Sequence, residues 1–175
     1  MTVTFRGPER AADTPTLEAI YRLRAAVWRE TGDVAQAAFA DGRWSDEHDA
    51  ASTHWVIRDG EELVAAARLS VHERLADVPE AEEYAAAGVR LDGRIAAPAR
   101  VVVAAAARRH GLAGQLLDAQ DDAARAAGCT FAVRQSSPAM GRLLQRRGWH
   151  NVGPARPDER FPGVRFEVMV LELSP

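Results

Sequence analysis

Residues 108–113 read Arg-Arg-His-Gly-Leu-Ala and separate two segments with different apolar patterns. The run before them, residues 100–104, is apolar after its first residue, which predicts a buried strand. After them, Leu112 and Leu116 begin a series of apolar residues at spacings of three or four that ends at Gly128. That spacing predicts a helix with a glycine at its C-terminus. The stretch therefore predicts a strand, a tight turn with glycine at its crest, and a helix.

The start of this predicted helix has the properties of an anion-binding site. The first N–H groups of a helix have no intrahelical acceptor, and the helix dipole is positive at that end. Gly111 allows a ligand to approach the backbone closely, and Arg108 and Arg109 place positive charge beside the turn. These features predict a site for a pyrophosphate. An ordinary strand-to-helix turn that binds no ligand shares them, so the residues alone leave both interpretations open.

Two segments carry a family resemblance. The Arg-x-x-Gly-x-Ala pattern of residues 108–113, after a Val-rich strand, resembles the coenzyme A-binding motif of the GNAT superfamily of N-acetyltransferases. Residues 143–153 are similar to the late helix, glycine and aromatic-led strand of that family. The resemblance extends over residues 15–173 and implies the GNAT fold. This fold is of the α/β (α+β) class, with one mixed, mostly antiparallel, twisted sheet of about seven strands and helices on both faces.

Composition and length limit the classes of protein to which the chain can belong. The chain has 175 residues, the length of one domain, so we expect residues 1–175 to form a single GNAT acyltransferase domain. A net charge of −3 argues against a nucleic-acid-binding protein. The sequence shows no signal peptide and no apolar segment of membrane-spanning length, and its one cysteine, Cys129, rules out an internal disulfide. We therefore expect a cytoplasmic protein without nucleic-acid or membrane partners.

The remaining segments predict elements that complete a mixed sheet. Asp59-Gly60 is a typical hairpin turn and predicts an antiparallel pair at the start of the sheet. Strands and helices that alternate in the second half predict parallel pairing there. In chain order, the predicted elements are a helix from Thr14 to about Glu30, a loop over 32–49, strands over 54–58 and 63–72, a short helix over 79–87 in an irregular segment that ends near Pro98, a strand over 100–105, a helix over 111–127, a strand over 129–134, a helix over 138–147, and strands over 149–152 and 164–173.

Two arginines occupy positions where an apolar residue is expected. Arg24 lies three residues after Tyr21 and four before Trp28, on the helix face that should be buried. Arg68 belongs to the polar face of the second hairpin strand, where a central strand would normally carry Val or Leu. A buried charge is costly unless it is paired. Each arginine therefore either pairs with a carboxylate as part of the core or borders a polar cavity.

The family resemblance implies a reaction and a co-substrate. GNAT enzymes transfer an acyl group from acetyl-CoA, or another acyl-CoA, to an amine by direct attack and without a metal. The backbone amides of residues 109–114 would hold the pyrophosphate, and the strand edge at Val101 and Val103 would pair with the pantetheine arm. A splayed strand edge near residues 103–105 would direct an N–H group at the thioester oxygen. The cofactor-binding residues implied in this way are Val101, Val103, Arg108, Arg109, His110, Gly111, Leu112, Ala113, Gly114 and Ser137.

The family resemblance identifies the residues that transfer protons less completely than those that bind the cofactor. A substrate ammonium with a pKa near ~10 must lose a proton, so a base or a chain of waters is needed. Glu73 and His72, at the end of the second hairpin strand, are the candidate bases, although a solvated strand end is the more ordinary explanation. Leu144 stands where many relatives have the tyrosine that protonates the thiolate, and Ser137 stands where relatives often have an asparagine. The candidates for the acid are then Ser136, Ser137 or water. Ser137 can equally serve only as the N-cap of the helix that follows. The chain can also be a member of the family that has lost its catalytic activity.

The N-terminal half carries a narrower resemblance. Its polar and aromatic residues follow the order found in acyl-homoserine lactone synthases, which share the GNAT fold and place an Arg/Asp cluster around the amino substrate. The substrate-binding residues implied in this way are Arg24, Trp28, Asp46, Asp49, Arg68 and Arg100. Such a cluster would pair the two unexpected arginines with the two aspartates. Ala97 departs from the synthases, which carry a glutamate three residues before the arginine of the fourth strand.

Three functions follow from these residues. The first is an N-acyltransferase, most simply an acetyltransferase, that acts on a small amino-acid-like amine. The second is an acyl-homoserine-lactone-synthase-like enzyme that uses longer acyl donors. The third is a non-catalytic module that binds acyl-CoA. The partner expected in both enzymatic cases is a small-molecule amine, and because related enzymes often dimerise, a homodimer is an open expectation.

Overall fold

The computed structural model describes residues 4–173, and within them seven strands form one open sheet against which four α-helices pack. The elements, in chain order, are β1 (Phe5–Ala11), α1 (Thr14–Thr31), β2 (Thr53–Asp59), β3 (Glu62–His72), α2 (Ala81–Ala86), β4 (Ile95–Val103), α3 (Leu112–Ala126), β5 (Phe131–Ser136), α4 (Pro138–Gln145), β6 (His150–Pro154) and β7 (Glu167–Glu172). The strand order across the sheet is β1-β2-β3-β4-β5-β7-β6.

The sheet is mixed and mostly antiparallel, as predicted. Antiparallel ladders join β1 to β2, β2 to β3 and β3 to β4, and also β5 to β7 and β7 to β6. The pair formed by β4 and β5 is parallel, with α3 as its crossover helix. The parallel pairing predicted in the second half is found between β4 and β5, whereas β7 lies between β5 and β6 and runs antiparallel to both.

The central strands bury alternate residues against helices on opposite faces of the sheet. Val56 and Ala66 belong to an apolar cluster with α1, whereas Ile57 and Ala65 belong to a second cluster with α3. Successive side chains of a strand point to opposite faces, so these two clusters lie on the two sides of the sheet. The predicted arrangement of helices on both faces is therefore confirmed.

Two strands differ from the sequence predictions. β1 was missed because Gly7-Pro8 and several charged residues conceal any apolar alternation. β4 begins at Ile95 rather than Arg100. The last residues of the segment predicted to be irregular, from Ile95 to Pro98, therefore belong to a strand. Pro98 is tolerated in β4 because the ladder with β5 stops at Ala96, and a residue without an N–H group costs little where one side of a strand is unpaired.

A V-shaped gap separates β4 from β5. Their parallel ladder contains the pairs Ile95–Phe131 and Ala96–Ala132, and the two strands share no ladder pair beyond them. β4 also bulges at Arg100, where the φ angle is 57° and the register with β3 shifts. A bulge bends and twists its strand, which helps to carry β4 away from β5. Both edges of the gap therefore carry backbone groups without a partner strand.

Neither a membrane-spanning helix nor a cluster of metal-ligating side chains occurs among the described residues. None of the helices within residues 4–173 has the length and apolar character needed to cross a membrane. The same residues contain no group of three or more His, Cys, Asp or Glu side chains arranged to hold a metal ion. Cys129 is a free, buried thiol, and burial raises its pKa, as expected of a thiol that packs in the core.

A substitution at Leu116 tests the assignment of the buried face of α3. Leu116 is fully buried between α3 and the sheet. We expect Leu116→Ala to lower the free energy of unfolding by about 2–5 kcal/mol, because it removes apolar contacts and leaves a cavity. Denaturant unfolding measures this change. The control is Gln115→Ala at the exposed neighbouring position, which should change the same quantity by less than about 0.5 kcal/mol; equal effects at both positions would contradict the assigned face.

Candidate functional site

The first turn of α3 presents free backbone amides. Gly111, with a φ of 78°, precedes the helix, and the first intrahelical bond runs from the N–H of Gln115 to the carbonyl of Gly111. No side chain of residues 4–173 caps this end of the helix. The N–H groups of Leu112, Ala113 and Gly114 therefore have no helical acceptor. The predicted set of free amides at the positive end of a helix dipole is confirmed as geometry.

A cavity of about 500 Å³ lies against these amides and the adjoining edge of β4. We call it the helix-end cavity. Eight of the ten residues predicted to bind the cofactor line it: Val101, Val103, Arg108, Arg109, Gly111, Leu112, Ala113 and Gly114. The other two lie elsewhere. The His110 ring packs beside Phe5, with ring centroids 5.1 Å apart, and Ser137 caps α4 by accepting a 3.4 Å hydrogen bond from the N–H of Met140.

The edge of β4 beside the helix-end cavity has its backbone groups directed into the gap. The N–H of Ala104 donates to the carbonyl of Val64 at 2.8 Å, on the β3 side. Because backbone groups of an antiparallel strand alternate in direction, those of Val103 point away from β3. The carbonyl of Val103 accepts a 3.2 Å hydrogen bond from Nε of Arg108. The strands separate after Ala96, so the splayed edge begins well before the predicted residues 103–105, and within that range the N–H of Ala104 is already bonded.

A second cavity of about 740 Å³ lies at the gap between β4 and β5. We call it the gap cavity. Residues of both strand edges line it, among them Ala97 and Arg100 of β4 and Ser136 of β5. Three residues line both cavities: Trp28, Val101 and Met140. The two cavities therefore adjoin, with one wall in common.

Five charged residues form a connected cluster beside the gap cavity, and two of them, Asp46 and Arg100, line it. Nη1 of Arg24 lies 2.8 Å from Oδ1 of Asp49. Nη1 of Arg68 lies 3.0 Å from the same oxygen and 2.6 Å from Oδ1 of Asp46. Nη2 of Arg100 lies 2.8 Å from Oδ2 of Asp46. The predicted pairing of the two unexpected arginines with the two aspartates is therefore confirmed, and it satisfies the buried charges.

The cluster keeps both carboxylates ionised. Burial by itself would raise the pKa of Asp49, but the neighbouring guanidinium groups of Arg24 and Arg68 outweigh it and lower that pKa below its usual range. Asp46 shows the same balance with Arg68 and Arg100, and its pKa lies well below the usual range. Burial lowers the pKa of Arg100 to about 10, so this guanidinium still carries its charge at neutral pH.

Sequence reasoning missed His54 as a member of the cluster. His54 is buried, with Nδ1 3.4 Å from Nη2 of Arg24 and Nε2 2.9 Å from the carbonyl oxygen of Asp49. Burial lowers the pKa of its ring, which favours the neutral imidazole. A polar residue at an inward position of the otherwise apolar strand β2 was the signal that could have identified it.

Aromatic side chains form one wall of the gap cavity. The ring of Trp28 lies 6.2 Å from that of Trp44 and 4.7 Å from that of Phe161, measured between centroids. The guanidinium of Arg100 lies 3.9 Å from the centroid of the Trp44 ring, a cation–π contact. The structure therefore places Trp28, one of the predicted substrate-binding residues, at the wall of the gap cavity. Trp44 and Phe161 belong to loops, and no periodic pattern marked them in the sequence.

The structure does not bring the two candidate bases to either cavity. Glu73 is exposed, and its Oε1 accepts a 2.9 Å hydrogen bond from Nε of Arg94. His72 places Nε2 2.8 Å from Oγ of Ser70. Neither residue is among those that line the helix-end cavity or the gap cavity. By contrast His48, which the sequence reasoning did not single out, lines the gap cavity.

The positions considered for the acid that protonates the thiolate differ in burial and in hydrogen bonding. Leu144, where many relatives have a tyrosine, is fully buried in the apolar core. Ser136 is 2% exposed and lines the gap cavity, and its Oγ has no hydrogen-bond partner among residues 4–173. Ser137 lines the same cavity, but its Oγ is engaged at the start of α4. Of the two serines, Ser136 has the free hydroxyl.

Free helix amides beside an unpaired strand edge suit the binding of an extended ligand that carries a phosphate group. The family comparison agrees. The model of the acetyltransferase (GNAT) family matches residues 17–149. The chain therefore belongs to this family and is an acyltransferase. No curated protein matches the chain in sequence.

Several solved structures share the fold over nearly the whole chain. FeeM, an N-acyl amino acid synthase from uncultured soil microbes, is 12% identical with a TM-score of 0.72, covering 98% of this chain and 91% of FeeM. The AHL synthase LasI is 15% identical with a TM-score of 0.71, covering 99% of this chain and 90% of LasI. BjaI, a CoA-dependent acyl-homoserine lactone synthase, is 18% identical with a TM-score of 0.71, covering 91% of this chain and 77% of BjaI. At these identities the likeness concerns the fold, and at that level it confirms the resemblance to these synthases.

Replacing Asp49 tests the contribution of the charged cluster to stability. We expect Asp49→Asn to lower the free energy of unfolding at pH 7 by about 3–5 kcal/mol, because it leaves Arg24 buried without its ionised partner. The pKa of Asp49 is lower in the folded chain than in the unfolded chain, so its contribution is present above about pH 4 and is lost as the pH falls below that value.

Denaturant unfolding between pH 7 and pH 3 measures both effects. The wild-type protein should lose stability on acidification more steeply than Asp49→Asn. The control is Asp122→Asn on the exposed face of α3, which should follow the wild-type curve. An Asp49→Asn protein with wild-type stability at pH 7 would contradict this role for the cluster.

Proposed function

We propose that the protein transfers an acyl group from acyl-CoA to the amine of a small amino-acid-like acceptor, by direct attack in a ternary complex. One observation carries the proposal: the helix-end cavity and the gap cavity adjoin at Trp28, Val101 and Met140. A donor in the first cavity and an acceptor in the second would meet at this shared wall. Direct transfer needs this proximity and no covalent intermediate on the protein.

The helix-end cavity supports the donor half of the proposal. Free amides at the start of α3 and the charges of Arg108 and Arg109 fit a pyrophosphate. The free edge of β4 at Val101 and Val103 would pair with the amides of the pantetheine arm, as an added strand pairs with a sheet. Acetyl-CoA or another acyl-CoA is the donor proposed, and it supplies the thioester carbonyl that the amine attacks.

The two aspartates of the charged cluster do not serve to bind the ammonium group of a substrate. Asp46 and Asp49 are each bonded to arginines, so neither carboxylate is free to bind a substrate ammonium. We propose that the cluster holds the loop of residues 44–49 and orients Arg100 over Trp44 at the cavity wall. The acceptor would contact Arg100 and the aromatic wall, whereas Arg24 and Arg68 act by positioning.

The proton transfers are assigned to residues of the gap cavity. The attacking amine must lose a proton, and we propose that His48 or a bound water accepts it, because an imidazole nitrogen can act as a general base. Ser136, with its unpartnered hydroxyl, would donate a hydrogen bond to the departing thiolate. Glu73, His72 and Ser137 stay predictions from the sequence.

The size of the gap cavity supports a second candidate, the use of longer acyl chains. A volume of about 740 Å³ exceeds the need of an acetyl group, and apolar residues such as Val78, Val133 and Met140 line part of it. Ala97 also leaves room where synthases carry a glutamate. The enzyme would then resemble an acyl-homoserine lactone synthase in its donor.

Three broader expectations belong to this proposal. We propose that residues 1–175 act as one acyltransferase domain and that the enzyme works in the cytoplasm on a small-molecule acceptor. A homodimer stays a prediction, based on the frequent dimerisation of related enzymes.

Thiol release from acyl-CoA tests the proposed activity. The protein is mixed with acetyl-, octanoyl- or decanoyl-CoA and a panel of amino acids and small amines, and free thiol is measured with a thiol reagent. We expect release that depends on the amine, with the preferred chain length deciding between the two donors. Binding of acyl-CoA without release for any amine would overturn the proposed transfer and favour a non-catalytic module.

Two substitutions at Gly114 test the donor site without straining the backbone. Gly114 lies in the first turn of α3, it is not among the residues with positive φ, and a Cβ placed there meets nothing within 4 Å. Gly114→Ala should stabilise the helix by about 0.5–1 kcal/mol and keep the affinity for acetyl-CoA. Gly114→Glu should raise the Kd for acetyl-CoA by more than about tenfold, because its carboxylate competes with the pyrophosphate for the amides.

Calorimetric titration and thermal unfolding measure the two variants. A carboxylate near a helix N-terminus favours the helix, so a folded Gly114→Glu protein is expected. Equal affinity of the two variants for acetyl-CoA would contradict the assigned pyrophosphate site.

A further inference from the structure

Arg134 of β5 is a buried cation at the wall of the gap cavity. It is 6% exposed and lines the cavity, at the β5 edge of the gap. Arg134 is the last residue of the strand predicted over 129–134, and no feature of the sequence marked it as a functional residue. The donor and acceptor contacts proposed above do not use it.

Arg134 differs from the arginines of the charged cluster in having no carboxylate partner. Its Nε and Nη1 are buried and have no hydrogen-bond partner among residues 4–173. By contrast, Arg24, Arg68 and Arg100 each donate to an aspartate at 3.0 Å or less. Two acidic groups influence the charge of Arg134, first the buried phenol of Tyr84 and then Asp121 of α3. Neither forms a hydrogen bond with Arg134 among residues 4–173, and Asp121 instead accepts a 3.5 Å hydrogen bond from Arg147.

The guanidinium of Arg134 remains charged in this environment. Burial lowers its pKa, but only to about 10, so the group is protonated at neutral pH. A buried charge without a partner is unfavourable, and an anion that enters the cavity would relieve that cost. The wall of the gap cavity therefore carries a positive charge that has no carboxylate partner within residues 4–173.

The chemical class of the anion that would pair with Arg134 follows from the guanidinium group and from the neighbouring cavity. The planar fork of an arginine binds carboxylates and phosphates in a bidentate manner. The phosphates of a CoA donor are accounted for by the amides of α3, and Arg134 does not line that helix-end cavity. A carboxylate is the remaining anion that a small amine acceptor or a short acyl group commonly carries.

We propose that Arg134 binds a carboxylate group of the ligand in the gap cavity. This inference rests on the proposed function, since it names the class of substrate for the same site. The carboxylate has two sources: the acceptor, as in a free amino acid, or the acyl group, as in a dicarboxylic acyl-CoA.

Matched ligands with and without a carboxylate test the proposal in binding. The probes are N-acetylglycine, N-acetyl-L-leucine and N-acetyl-L-phenylalanine, each compared with its primary amide, and succinyl-CoA compared with acetyl-CoA. Trp28 and Trp44 line the gap cavity, so tryptophan fluorescence reports binding without any turnover. We expect the wild-type protein to bind the carboxylate member of at least one pair about tenfold or more tightly.

Three variants separate charge, geometry and general effects. Arg134→Gln should abolish the preference for the carboxylate member, and Arg134→Lys should retain part of it because the charge remains. Thermal unfolding should show Arg134→Gln to be at least as stable as the wild type, since it removes an unpaired buried charge. Arg165→Gln, at an exposed arginine, is the matched control and should leave every affinity unchanged.

Each outcome supports or overturns the proposal. A preference for the N-acetyl amino acids that Arg134→Gln removes places the carboxylate on the acceptor, and the same result with succinyl-CoA places it on the acyl group. No preference in any pair, or a preference that survives in Arg134→Gln, overturns the role of Arg134. Thiol release by the wild type distinguishes the two proposals: turnover with no carboxylate preference leaves the transferase standing, whereas carboxylate binding without turnover leaves only the Arg134 site.

Discussion

The separation of β4 from β5 is the constraint on which the site depends. The two strands pair at Ile95 and Ala96 and then diverge, so their facing edges keep backbone groups that no strand satisfies. Buried backbone groups need partners, and an extended ligand that adds itself to a strand edge can supply them. The crossover helix α3 begins beside the same gap, which places its free amides within reach of that ligand. Both cavities follow from this one interruption of the sheet.

The charged cluster fixes the other side of the site. Three arginines and two aspartates join α1, β3 and β4 to the loop that carries Trp44. Ion pairs of this kind contribute little net stability compared with an apolar core, but they are costly to break, so they hold the loop in one position. The loop in turn places Trp44 under Arg100 and beside Trp28. The cluster therefore shapes the gap cavity while most of its own charges stay out of reach of a ligand.

Features that depend on residues close together in the chain could be predicted from the sequence. The apolar spacing after Gly111 located α3, Asp59-Gly60 located the β2–β3 hairpin, and Pro138 after a serine located the start of α4. The pairing of Arg24 and Arg68 with aspartates was also accessible, because a charge on a buried face must find a partner and the family resemblance supplied one. β1 and the first residues of β4 were missed, since proline, glycine and charge there interrupt the alternation on which strand prediction relies.

The sequence by itself therefore determined the family, most of the elements and the free amides at the start of α3, because local hydrogen bonding and apolar periodicity control all three. Only the tertiary structure decided which polar residues meet across the gap. It inserted β7 between β5 and β6, left His72 and Glu73 away from both cavities, and brought His48 and Arg134 to the gap cavity. The physical reason is that a cavity is formed by elements distant in the chain, so burial and pairing at its wall depend on packing that no local pattern contains.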